Sequence, residues 1–297
     1  MITSSPAVVR YYLALRLSQL RAESGLTKQQ AGKRIGRTGQ TIANLEKGLH
    51  APTQSDLEKL LEHYGAAEQI PELRDLLPVA RKRTPKRAAP IPEDYDLRLN
   101  LEIDMARLDI VETSLVPGLL QTPKYAAAVF RADPNHSDAE IQQLVDARME
   151  RKQVFMRAER PAELHVVLDE SVLYRVRGGN GVMREQLDYL QEVARTSTVD
   201  LQVLPLDAGA FRGQGKSWTL MTFPESLQEH PGMVCLDLLE ESRYVDDVTL
   251  VDLYRRTWRH VLGAAASIDR SLQLIRKARK ECGGDCEELG RMEEIQS

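Results

Sequence analysis

Cysteine is scarce in this chain. Cys235, Cys282 and Cys286 are the only three in 297 residues. One is isolated and two lie four apart, which makes no disulfide framework, so the fold has to hold by packing in a reducing compartment. Cys282 and Cys286 follow a helix ending in charged residues, a setting that favours free thiols over a redox pair. Long apolar runs are missing too. None approaches the ~18 residues of a membrane span, and no N-terminal stretch resembles a signal peptide, so a soluble, cytoplasmic protein without membrane contact is expected. Chemistry-bearing clusters are equally thin. The six histidines, at positions 50, 63, 136, 165, 230 and 260, are far apart with no metal-ligating spacing. No serine sits in a nucleophile-elbow pattern and no cysteine neighbours a histidine. The pair Asp169-Glu170 ends an expected strand, where a solvated or capping role is the commoner one. Neither an enzyme, a metal site nor a cofactor is expected.

Two glycine-rich stretches invite a phosphate-binding reading. In Gly209–Ser217 a P-loop would need glycine at position 210, which is Ala210, and a helix next; a strand is expected instead. Gly178-Gly179-Asn180-Gly181 lacks the spacing of a dinucleotide fingerprint and reads as a turn entering a helix.

What is present is an uneven charge. The net −4 divides into residues 1–89, with 15 Lys+Arg against 8 Asp+Glu (+7), and residues 90–297, with 25 against 36 (−11). The positive part suits a polyanion, and the acidic part should stay off it.

Within the basic part, residues 25–48 read GLTKQQAGKRIGRTGQTIANLEKG. Thr27 is placed to cap a helix starting at Lys28, Gly32 allows close packing, and Gly36 supplies a tight turn. Thr38 then caps a second helix whose Ile42 and Leu45 face inward, leaving Gly39, Gln40, Thr41 and Asn44 at its start and on its outer side. This is helix-turn-helix punctuation, and it predicts binding to double-stranded DNA. The candidate DNA-binding residues are Lys28, Gln29, Arg37, Thr38, Gln40, Thr41, Asn44 and Lys47. Gln40 has the geometry for a bidentate contact to adenine, with Asn44 one turn on, while Lys28, Arg37 and Lys47 are expected at phosphates.

The expected architecture is multi-domain. An all-α N-terminal five-helix bundle occupies residues 1–80, comprising a helix at 7–24, the two just described, a fourth capped by Ser55 and ended by Gly65, and a short fifth. A basic, proline-containing linker follows at 81–99, with five cations and three prolines in RKRTPKRAAPIP. A C-terminal α/β domain with a mixed sheet is expected over 100–280, then a flexible tail at 281–297. In that domain Thr122-Pro123 opens a helix, and Ser137 with Glu140 forms a capping box opening a longer one to about Glu159. Strands are expected at Leu164–Leu168, Val199–Leu206, Trp218–Phe223 and Met233–Leu239. A helix over Val182–Arg195 makes the first two a parallel pair, and two helices at about 247–265 and 267–280 close the domain.

Residues 10–65, with Gly32, Gly36, Ile42 and Leu45, resemble the XRE family of helix-turn-helix repressors, departing from it at Arg37, usually apolar, and Gly39, often a longer base-reading side chain. Residues 101–278 resemble the C-terminal domain of unknown function carried by many actinobacterial XRE regulators, through LVPGLLQTPKYA at 115–126, VVLDES at 166–171, MREQLDYL at 183–190 and LQVLPLDAG at 201–209. The resemblance implies an antitoxin-like transcriptional regulator encoded beside a small partner protein. One recognition helix reads few base pairs, so a homodimer on a pseudo-palindromic site is expected. The C-terminal domain then docks the partner protein to modulate DNA binding. The rival is a one-component repressor sensing a small-molecule ligand there, with Tyr174, Phe211 and Trp218 near loops.

Overall fold

The structure is a computed structural model that describes residues 5–82, 102, 105–153, 162–210, 212–213, 215–227, 232–238 and 242–282. Most of the expected linker, the end of the helix expected to reach Glu159, Phe211, Cys286 and all of the expected tail but Glu281 and Cys282 lie outside the described residues. The elements fall into two compact units.

The first unit is helical: α1 (Pro6–Glu23), α2 (Lys28–Arg34), α3 (Gly39–Glu46), α4 (Gln54–Tyr64) and α5 (Ile70–Ala80). α1 is its spine. Beyond the expected stripe of Val9, Leu13, Leu17 and Leu20, it buries Val8, Tyr12, Ala14 and Leu15, because α3, α4 and α5 all pack on it. α4 and α5 contribute Leu57, Leu60, Leu61, Leu73, Leu76 and Leu77, all buried. Each such leucine contributes about 1.5–3 kcal/mol relative to exposure. Ser55 is not the cap of α4. Thr53 takes that position, its side chain accepting from the Asp56 N–H at 3.1 Å. The helix starts a residue before Ser55, and Thr53 stands three before Asp56, the spacing a cap needs.

The second unit is built on a six-stranded mixed sheet in the order β3-β2-β1-β4-β5-β6 among the described residues. Its strands are β1 (Arg107–Glu112), β2 (Glu163–Asp169), β3 (Val199–Leu204), β4 (Trp218–Thr222), β5 (Met233–Asp237) and β6 (Ser242–Val245). β1–β2 and β2–β3 pair in parallel, and the other three pairs are antiparallel. Parallel neighbours need crossovers. α6 (Pro123–Phe130) and α7 (Asp138–Lys152) lie in the first; the second holds the short α8 (Ser171–Tyr174) and α9 (Asn180–Val193). The expected parallel pair around a helix is therefore present. The helices α10 (Val248–Ala264) and α11 (Ile268–Glu281) close the described chain.

β1, β6 and α8 were not expected from the sequence. β1 has a buried centre, but Asp109 breaks its apolar run. β6 is four residues long, too short for an alternation to register. Three expected strands end early, β3 before Pro205, β4 at Thr222 and β5 at Asp237.

One sheet face packs Val111, Val167, Leu204, Trp218, Leu220 and Val234 against Val251, Trp258 and Val261 of α10. Trp218 meets Tyr254 and Trp258 edge-on, at 5.3 and 6.1 Å between centroids. Each aromatic pair adds about 0.5–1.5 kcal/mol beyond area burial. Trp218 is thus a core residue and does not offer its ring to a loop crevice. The Gly209–Ser217 connection leads into β4, a strand, as expected. Asp169 and Glu170 are spent on backbone groups: Asp169 Oδ1 accepts from the Ser171 N–H at 2.9 Å in the turn after β2, and Glu170 Oε2 accepts from the Leu206 N–H at 2.9 Å. Cys282 is buried, and burial pushes its thiol pKa up, away from the reactive thiolate.

The entry to α11 seals β3. The Ala266 N–H donates to Val203 O at 2.8 Å, and the Val203 N–H donates to Ser271 Oγ at 2.8 Å. Ser271 is fully buried. Ser271→Ala leaves the Val203 N–H without its acceptor, so we expect a loss of about 1–3 kcal/mol. Urea unfolding followed by tryptophan fluorescence reads this unit alone, since both tryptophans, Trp218 and Trp258, lie in its core.

Candidate nucleic-acid interface

The geometry of α2 and α3 follows from a few local rules. Thr27 and Gln30 form a reciprocal capping box: Thr27 Oγ1 accepts from the Gln30 N–H at 3.2 Å, and Gln30 Oε1 accepts from the Thr27 N–H at 2.9 Å. Thr38 caps α3, accepting from the Thr41 N–H at 3.1 Å. Between the helices Gly36 stands at φ +72°, a left-handed conformation that side chains rarely adopt. The helices then meet backbone to backbone. A Cβ on Gly32 would lie 2.7 Å from the Thr38 carbonyl, and one on Gly39 would lie 3.1 Å from the Gln29 Cα. Gly39 therefore does not stand on the outer side of α3. It faces α2, and the lack of a side chain there is a packing requirement.

The outer side of α3 carries Gln40, Thr41 and Asn44. Gln40 Nε2 donates to Asn44 Oδ1 at 2.9 Å, so the two amides act as one bonded pair. Thr41 shares a hydroxyl–hydroxyl bond of 2.9 Å with Thr38. Gln29 is exposed at the start of α2, and Lys47 is exposed just past the end of α3. Gln29 and Thr38 thus stand at the starts of α2 and α3, and Lys47 stands at the far end of α3.

The other two candidates are already engaged. Lys28 Nζ lies 3.4 Å from Glu46 Oε2, although its side chain stays nearly half exposed. Arg37 forms a two-pronged pair with Asp56, Nε to Oδ1 at 3.3 Å and Nη2 to Oδ2 at 3.2 Å. Arg37 thus ties the turn to the first turn of α4. This explains an arginine where the resembling family usually has an apolar residue: the turn is held by a charge pair.

Sequence reasoning passed over Glu46. It closes α3, its side chain is 3% exposed, and it gathers cations from both preceding helices. Arg21 of α1 donates from Nε at 2.5 Å and from Nη2 at 3.1 Å, and Ser18 lies within 3.4 Å. The bond to Glu46 raises the Arg21 pKa, so the guanidinium is held charged. No signal marked this cluster, because its members are up to 28 residues apart.

Two family models match the chain. One, described as a helix-turn-helix domain, matches residues 13–77, which takes in α2, α3 and most of α1. The other, described as a domain of unknown function, DUF5753, matches residues 97–277, more than half of the chain. The chain belongs to the DUF5753 family. No curated protein and no solved structure matches it. The helix-turn-helix domain makes this DUF5753 protein a DNA-binding regulator, and among its described residues no helix is long and apolar enough to cross a membrane.

Removing Glu46 would strand Arg21 in a half-dry site. Breaking a buried pair from one side costs about 3–5 kcal/mol. Glu46→Ala in this DUF5753 protein is expected to unfold the helical unit first, seen as early loss of helical circular dichroism while tryptophan fluorescence persists. Unfolding at the wild-type midpoint would show that α3 is held by apolar packing alone.

Proposed function

We propose that the protein is a sequence-specific transcriptional regulator of the XRE type, acting on chromosomal DNA in the cytoplasm, with α3 as its recognition helix. The bonded pair of Gln40 and Asn44 on the outer side of α3 carries this reading. Amide side chains recognise adenine through paired donor and acceptor, and a pair already ordered on a helix face is suited to that task. Thr38, Thr41, Gln29 and Lys47 flank it, where they bond phosphates or neighbouring bases. Lys28 reaches phosphate from its Glu46 contact, and Arg37 contributes mainly through its hold on α4. The net +7 of residues 1–89 supports the sequence-independent part of the affinity.

The regulator works as a two-fold homodimer on a pseudo-palindromic site, since one helix reads too few base pairs to find a genomic address. Its acidic C-terminal domain docks a small partner protein with a basic face, in the manner of antitoxin-like regulators. The net −11 of residues 90–297 supports this, and it makes the association salt-sensitive.

Anisotropy titrations on a duplex selected from a random pool test the DNA reading. Gln40→Ala is expected to cost about 1–3 kcal/mol on the selected site and little on random duplex. Lys28→Ala should weaken both alike and reduce the salt slope by about one. Equal losses on both duplexes for Gln40→Ala would overturn the base-reading role. For the effector, purification from the host followed by mass spectrometry should show a small protein that leaves as salt is raised. A tightly bound metabolite with no protein companion would reverse the order of the two effector readings.

A further inference from the structure

α10 has two sides of opposite character. Val251, Trp258 and Val261 are buried against the sheet, while Arg256, Arg259, His260 and Gly263 are exposed. Spacings of three and four residues place those four on one face of the helix. α10 holds three arginines against a single carboxylate, Asp252, whose Oδ1 lies 3.4 Å from Arg255 Nη1. Arg256 and Arg259 make no ion pair among the described residues.

The usual reasons for a cationic helix face do not apply here. Basic residues in a last turn answer the helix dipole, but α10 has none there. Carboxylates one turn away offset the arginines of many exposed helices. Arg259 instead has Arg256 three residues before it, Arg255 four before it and Gly263 four after it. Like charges at that spacing destabilise a helix. Gly263 adds a second cost, because glycine inside a helix is less favourable than alanine. A Cβ there would meet nothing within 4 Å, so packing does not require the glycine. The face is costly, positive and bare.

Residues 90–297 carry a net −11, so as a whole this part is repelled by a polyanion. The outer side of α10 is a local exception. At physiological salt charges act over only about 8 Å, so an approaching phosphate responds to the face it meets.

We propose that this face of α10 is a second DNA contact, at which Arg256 and Arg259 bind backbone phosphates. Guanidinium forks match phosphate oxygens, and the bare Gly263 lets a sugar-phosphate chain lie close. Two exposed arginines are too few to capture a free acidic protein. Duplex DNA is the better occupant, because the helix-turn-helix domain already brings it to this chain and covalent linkage raises its local concentration. The inference rests on that domain binding DNA and not on which residues of α3 read bases. Phosphate contacts of this kind carry no sequence information.

Anisotropy titrations of the full chain on the selected and random duplexes, repeated across a salt series, test it. Arg256→Gln combined with Arg259→Gln should weaken both duplexes alike and lower the salt slope by about two. Arg256→Lys with Arg259→Lys should keep the slope, since the charge is retained. Arg175→Gln with Arg195→Gln, at exposed positions just past α8 and α9, changes the net charge equally and should leave the slope as it is. Gly263→Glu removes no arginine and enters open space, and it should weaken binding to both duplexes. Fluorescence from Trp258, on the same helix, checks that each variant folds. An unchanged slope for the double glutamine variant overturns the proposal, as does an equal fall in the control pair. Loss of the α10 contact leaves the preference for the selected duplex intact, whereas failure of the α3 reading removes that preference.

Discussion

The helical unit depends on one buried carboxylate. Glu46 ends α3, and its two oxygens receive Arg21 and Ser18 from α1 and the ammonium of Lys28 from the start of α2. Three helices thereby share a single charge centre. A short helix of eight residues has little stability of its own. Ile42 and Leu45 pack its inner side, yet apolar contacts alone leave a short cylinder free to roll. The Glu46 network supplies direction. It fixes which residues of α3 face inward and so which are presented outward.

A second charge pair performs the same service at the other end of the motif. Arg37 in the turn grips Asp56, which is also held at the start of α4 by Thr53. With Gly32 and Gly39 bringing α2 and α3 into backbone contact, the motif is clamped at its start, its turn and its end. The sheet unit uses different means. Its parallel half has to be covered on both faces, and Leu108, Ile110, Val166 and Leu168 are buried opposite the residues facing α10. Aromatic packing around Trp218 does there what ion pairs do in the helical unit.

Most local signals were legible, the cap of α4 excepted, and distant ones were not. The caps Thr27 and Thr38 and the box Ser137–Glu140 could be read from spacing because each partner lies three residues from its cap. The mixed sheet and the parallel pair around α9 followed from strand, helix, strand order. β1 escaped because Asp109 breaks its apolar run; that carboxylate is buried but bonded to Arg107 at 2.7 Å, a partner two residues away on the same face. Within the candidate interface, the outward placement of Gln40, Thr41 and Asn44 was legible from helical periodicity. The roles of Gly39 and Arg37 were not. A missing side chain looks the same in a sequence whether it faces solvent or a neighbouring backbone, and nothing local joins Arg37 to a residue nineteen positions on.

The sealing of β3 has a consequence for how copies of the chain behave together. A strand at the margin of a sheet offers its backbone groups as a template on which another chain can add, the route into runaway association. At Val203 both groups are already occupied, one by the Ala266 amide and the other by the Ser271 hydroxyl. A hydroxyl is an economical plug, since it accepts from the strand and donates onward to Ala266 O in the same motion. The parallel margin of the sheet is thereby blocked to strand addition near the C-terminal end of β3, which works against the association that exposed margins invite.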